Sequence, residues 1–151
     1  MALYFNRPLP KTIATSEFGW RKIKVGDMVV PVWQRHLGQD LRASIGTPGR
    51  VAYLGHISKV WTSLRAGLCF EITHTSCSLP GFLVQSVYYH LHKLFYRYLQ
   101  QVSAEEVVYE TGNSGTWTSG PHLHWGVKVN GIWIDPRLVI KELNNVKRVI
   151  N

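Results

Sequence analysis

The chain has 151 residues, 45% of them hydrophobic, enough to bury one sizeable core and too few for two ordinary domains. Seventeen Lys and Arg against nine Asp and Glu leave a formal charge of +8, which implies attraction to a polyanion without choosing among nucleic acid, a membrane surface and an anionic wall polymer. No stretch approaches the roughly 18–20 apolar residues that cross a bilayer, so no membrane span is expected.

In chain order, "MALYFNRPLPKTIATSEF" holds no apolar run behind a basic start, so neither a secretory signal nor an anchor is expected, and residues 1–17 read as an N-terminal extension. Short runs rich in Val, Ile, Trp and Tyr then recur between turn signals: "MVVPVW" (28–33), "GRVAYLGHI" (49–57), "LCFEITH" (68–74), "EVVYE" (106–110), "HLHWGVKV" (122–129) and "GIWID" (131–135). That spacing predicts a mainly β domain with an antiparallel sheet. "TPG" (47–49), "LPG" (79–81) and "TGNSG" (111–115) mark turns, and the Asn-Gly pair in "KVNGIW" (128–133) is the strongest hairpin signal. Over 87–106, Val87, Leu91, Leu94, Phe95, Tyr98 and Val102 fit a helical period, while the Tyr, Phe and Val enrichment fits strands. A short helical segment near 90–100 and a strand both stay open. After Pro136 a helical turn is expected, followed by a tail over 139–151.

Cys69 and Cys77 lack the C-x-x-C spacing of a zinc finger or redox motif, leaving two free buried thiols or one disulfide. The seven histidines are more informative. In a strand, residues i and i+2 share a face, so His122 and His124 of "GPHLHW" project together. By itself H-x-H is a weak signal. "RHLGQD" sets His36 and Asp40 four positions apart, about 13 Å on an extended strand, so the two reach one ion only if the chain bends, for which Gly38 sits where a bend is cheapest, or forms a helical turn. Alone, that spacing more often means an ion pair or a cap. "YYHL" places His90 among aromatics, where a lone histidine is usually a satisfied core residue. Together, two imidazoles and a carboxylate make a zinc set of catalytic type with one position open, and two further histidines supply proton transfer or charge stabilisation.

The ordered elements "RHLGQD", "GTPGRV", "EITH", "YYHL", "TGNSG" and "GPHLHW" resemble those of the lysostaphin/LytM-type zinc metalloendopeptidases, which cut peptide bonds in bacterial peptidoglycan. The resemblance runs from about Phe18 to about Leu138, so 18–138 reads as the peptidase domain. It implies a LytM-like antiparallel sheet flooring a groove walled by loops. It implies one Zn2+ held by His36, Asp40 and His124, with His90 and His122 as catalytic residues sharing the base and oxyanion-donor roles. His74 matches a position often filled by histidine and carries no assigned role; His56 and His92 match nothing and read as surface residues. The chain departs from the pattern over "RYLQQVSAEEVVYETG", where the family carries a Gly-Asp turn and an Ala-Gly pair, and over the long "HTSCSLPGFLVQS". Those departures put the groove loops, and with them substrate choice, in doubt.

The implied function is zinc-dependent hydrolysis of peptidoglycan peptides, with anionic wall polymers as a further partner. With no signal expected, the implied setting is a phage product, made in the host cytoplasm and released onto the wall or carried in the virion. Two rivals make other predictions. A non-catalytic LytM-like scaffold or activator should have lost ligands, and all three matched positions are filled. A polyanion-binding β domain should interleave basic and aromatic residues on one face. The candidates, "HKLFYRY" (92–98) and Arg21, Lys22 and Lys24 beside Trp20, form no long stripe in the sequence, so no nucleic acid is expected as a partner.

Overall fold

The computed structural model describes residues 5–9, 11–25, 27–75 and 81–140. It is mainly antiparallel β. The strands are β1 (Ala14–Ser16), β2 (Gly19–Val25), β3 (Met28–His36), β4 (Gln39–Arg42), β5 (Pro48–Gly49), β6 (Gly55–Ser63), β7 (Gly67–Thr73), β8 (Val84–Leu91), β9 (Lys93–Leu94), β10 (Gln101–Val102), β11 (Tyr109–Glu110), β12 (His122–Val129) and β13 (Ile132–Ile134), followed by a 3-10 turn at Pro136–Leu138. The main sheet runs β1-β4-β12-β8-β7-β6-β10, and β13 shares with β4 one edge of β12. A small sheet β5-β11-β9 and a separate hairpin β2-β3 complete it.

Strand alternation gives the main sheet two unlike faces. One face presents Leu41, Leu123, Trp125, Val127, Tyr88, Phe70, Ile72 and Ile57 to the core, all fully buried, with Phe70 and Tyr88 stacked 4.5 Å apart. Phe5, Leu9, Val51, Ala52, Val108 and Tyr109 cover that face. A buried hydrogen-bonded run also lies there: the Ala52 N–H donates to Tyr88 Oη, which lies 3.0 Å from Ser86 Oγ, itself 2.8 Å from His74 Nε2, while His74 Nδ1 donates to the Leu54 carbonyl. Every member is satisfied only with His74 neutral. Burial, first among the causes, holds His74 down to about 4.

The sequence left helix and strand open over 87–106; among the described residues there the chain forms β8, β9 and β10, and no helix. Val87 and Leu91 keep a helical spacing because β8 is central, with Val84, Ser86, Tyr88 and Leu91 buried inward and Val87 buried on the other face; Phe95 and Tyr98, past β9, are exposed and belong to no helix. The run 49–57 is not one strand either. Val51 and Ala52 are apolar because they plug the core from a non-strand segment between β5 and β6. Asn130 and Gly131, with φ of 50° and 77°, form the expected tight turn between β12 and β13. Cys69 is a buried free thiol, and Cys77 lies outside the described residues.

Candidate metal centre

The outward face of the sheet carries the chemistry. β3 ends at His36, the chain bends through Leu37 and Gly38, and β4 opens with Gln39 and Asp40. β4 lies beside β12 with Asp40 opposite His124. The bend brings His36 Nε2 to 3.1 Å from Asp40 Oδ1 and 3.0 Å from His124 Nδ1, and His124 Nδ1 lies 3.0 Å from the same Oδ1. Gly38 is needed there for closeness. A Cβ would stand 2.5 Å from the Trp125 carbonyl oxygen and 2.8 Å from the His124 ring.

His90 reaches the site through an irregularity in β8. Leu68 pairs with Leu91, yet Phe70 pairs with Tyr88, so β8 carries one residue more than β7 between these pairs. The surplus is taken up at His90, whose φ of 64° is left-handed. In a regular strand His90 would follow Tyr88 into the core; the bulge sends its ring beside His122, with centroids 4.9 Å apart, and returns Leu91 to the core. The "TGNSG" turn closes on this bulge. Ser114 donates from Oγ to the Leu91 carbonyl, and its own carbonyl accepts from His90 Nδ1 at 2.8 Å.

Three imidazoles are oriented alike. His36 Nδ1 donates to the Glu17 carbonyl, His90 Nδ1 to that of Ser114 and His122 Nδ1 to that of Gly120, each at 2.8 Å. A carbonyl only accepts, so the proton sits on Nδ1 and Nε2 is left with a free lone pair. His122 Nε2 lies 3.5 Å from Asp40 Oδ1. Burial works to raise the Asp40 carboxyl, but its hydrogen bonds to His124 and His36 and their charges outweigh it and hold the acid well below the usual carboxylate range. Burial lowers His124, and it pushes His90 down to about 4.

His36, Asp40 and His124 thus turn one ligand atom each toward a common point. This donor set fits a cation. Its atoms stand 3.0–3.1 Å apart, near the roughly 3.3 Å edge of a tetrahedron with metal–ligand bonds of about 2.05 Å. His74 lies on the opposite, core face; His56 is half-buried on β6, and His92 is exposed just past β8.

Three participants were not read from the sequence. Arg21 donates from one Nη to Asp40 Oδ2 at 3.0 Å and to Ser16 Oγ at 2.8 Å, which occupies the carboxylate oxygen turned away from His36 and His124. Its signal is positional: Arg21 faces Gln34 across the β2-β3 pair, on the side of His36. Tyr89 stacks on His124, centroids 5.0 Å apart and planes 17° off parallel. Ser114 was legible only as part of a turn.

A mixed imidazole–carboxylate triad beside two further imidazoles, on the outward face of an antiparallel β sheet, is a donor set of metal-dependent hydrolase type. The model of Peptidase family M23 matches residues 34–136, a span that contains all five of these residues. The chain belongs to that family. It is 32% identical over 133 residues to the DD-carboxypeptidase/endopeptidase Mpg of Neisseria meningitidis, covering 87% of this chain and 28% of Mpg. It also superposes on a zinc containing peptidase from Vibrio cholerae (TM-score 0.72, 30% identity, 87% of this chain and 39% of that one). The catalytic domain of the prophage-encoded M23 protein EnpA from Enterococcus faecalis matches with a TM-score of 0.68 at 25% identity, over 88% of this chain and 95% of that one. The chain therefore spans under a third of the curated relative and nearly all of an isolated catalytic domain.

Proposed function

We propose that this chain is a zinc-dependent endopeptidase that hydrolyses peptide bonds of bacterial peptidoglycan, with His36, Asp40 and His124 as the metal ligands and His90 and His122 as the catalytic residues. The observation that carries the reading is the convergence of one ligand atom each from His36, Asp40 and His124, 3.0–3.1 Å apart, flanked by the imidazoles of His122 and His90. The peptidoglycan substrate is supported by the likeness to the peptidoglycan DD-endopeptidase ShyC of Vibrio cholerae, 28% identical over 136 residues, 90% of this chain and 29% of ShyC.

Zinc in this set supplies Lewis-acid polarisation of the scissile carbonyl and of water. The protein's own part is positioning and proton movement. The Glu17 carbonyl fixes the His36 ring, and Arg21 ties Asp40 Oδ2 so that Oδ1 faces the site. One of His122 and His90, each turned by a carbonyl partner at Nδ1, accepts at Nε2 the proton released by the attacking water. That imidazole later delivers the proton to the leaving amine nitrogen, and the other is the donor to the tetrahedral oxyanion. Separate pH–rate profiles of His90 and His122 variants tell the two roles apart.

The test is mass spectrometry of muropeptides released from purified peptidoglycan, with His124→Ala as control. Wild type is expected to release peptide-cleaved fragments, to stop when zinc is chelated and to recover on zinc addition. Identical products from wild type and His124→Ala refute the assignment. We infer further that the setting is phage lysis or entry, a reading supported by the likeness to a prophage-encoded protein. Lysis of intact cells that requires the protein to be supplied from inside favours release during lysis, and activity from outside favours entry.

A further inference from the structure

The β2-β3 hairpin has a second face. Cross-strand pairing sets Trp20 opposite Arg35 and Lys22 opposite Trp33, so these four side chains share the face turned away from Arg21, Gln34 and His36. Phe18 extends the row: the Arg35 guanidinium lies 5.9 Å from its ring centroid, and Lys22 Nζ lies 5.6 Å from that of Trp33. Trp20 is 69% exposed and Trp33 58% exposed. Two tryptophans are thus left exposed on a hairpin outside the main sheet. No stripe was visible in the sequence because its members come from two strands and meet only when the strands pair.

We propose that this face binds the glycan strand and stem peptides of insoluble peptidoglycan, as a docking surface separate from the groove; the identity of the polymer rests on the proposed function. Three observations select that occupant. Exposed indole faces suit the flat apolar faces of sugar rings. Lys22 and Arg35 alternate with the rings and suit the free carboxylates of stem peptides, in a chain whose formal charge is +8. Lys22 and Arg35 interrupt the row between Trp20 and Trp33, which a face inserted in a bilayer would keep apolar; Met28, Val29 and Val32 are the other exposed apolar residues of β3. Arg35 adjoins His36 in sequence, so a polymer held here keeps its peptides near the groove and raises their local concentration.

The experiment compares wild type with Trp20→Ala/Trp33→Ala and with Lys22→Glu/Arg35→Glu. Each is scored for pelleting with purified peptidoglycan across a salt series and for cleavage of a soluble disaccharide-peptide dimer, and thermal melts check folding. The tryptophan variant is expected to lose about tenfold in pelleting affinity, equivalent to about 1.4 kcal/mol, and to cleave the soluble dimer within about twofold of wild type. The charge-reversed variant is expected to lose pelleting affinity and its salt dependence. Unchanged pelleting by both folded variants overturns the proposal. So does tighter, tryptophan-dependent binding of wild type to anionic phospholipid vesicles or to duplex DNA. Failure of wild type to cleave the soluble dimer refutes the peptidase reading alone, since pelleting is scored independently.

Discussion

His90 offers a test in which the backbone and the imidazole are separated. Its φ of 64° puts a side-chain-bearing residue in the left-handed region, at a cost of about 1–2 kcal/mol. His90→Ala and His90→Gly lose the same ring and the same hydrogen bond to the Ser114 carbonyl, worth about 1 kcal/mol. They differ in backbone freedom. Glycine removes the strain but adds about 0.5–1 kcal/mol of unfolded-chain entropy. The net expectation is that His90→Gly is more stable than His90→Ala by about 0.5–1 kcal/mol, or about 2–3 °C in Tm for a chain of this size. Urea titration and thermal melting of both variants, stripped of metal with a chelator, measure the difference directly. Both should lose about 10²–10⁴-fold in peptidoglycan hydrolysis, because neither restores a proton acceptor. If alanine matches or exceeds glycine in stability, the residue is not held left-handed, and the account of how the β8 bulge aims this ring is wrong.

Gly38→Ala should destabilise the fold by about 1–3 kcal/mol and weaken zinc binding by displacing the His124 ring, which a competition titration against a chromophoric chelator reads; unchanged stability and affinity refute the close-approach argument. Arg21→Gln should weaken zinc affinity by about 10-fold, with Arg21→Lys recovering part of the loss, and equal affinities in all three proteins would mean that the Asp40 Oδ2 contact positions nothing. His74 sets an acid limit. With an ordinary value of 6.5 and a folded value of about 4, the folded state binds fewer protons between those limits. Stability present above pH 6.5 is therefore lost as pH falls toward 4, by roughly 3 kcal/mol in all. The slope should be shallower in His74→Gln, and identical pH profiles would show that His74 is not held neutral.

What the sequence disclosed was what lies close along the chain. His122 and His124 share a face because they are two residues apart in a strand, and Asn130-Gly131 turns because of its own backbone preferences. His36 and Asp40 required a bend, and the bend is there, but the need for glycine at position 38 comes from His124 and Trp125, more than eighty residues away. Features set by pairing between distant segments left no local trace. Arg21 reaches Asp40 only because β2 pairs with β3, and the Phe18, Trp20, Lys22, Trp33 and Arg35 row is split between those strands. β8 read ambiguously because both its faces carry buried apolar residues, which removes the alternation that marks a strand.

The bulge in β8 and the closeness at Gly38 solve one problem. A strand gives each face every second residue, and in β12 that rule suffices: Leu123, Trp125 and Val127 build the core while His122 and His124 stand on the other side. In β8 the same rule would set the His90 ring beside Tyr88 in the core. One surplus residue moves His90 to the chemical face and keeps Leu91 in the core. Its left-handed backbone costs about 1–2 kcal/mol, while burying Leu91 contributes about 1.5–3 kcal/mol. The irregularity is therefore sustained by packing on the far side of the sheet, and a Leu91→Ala change, which removes no side chain of the site, should lower peptidoglycan hydrolysis by displacing His90.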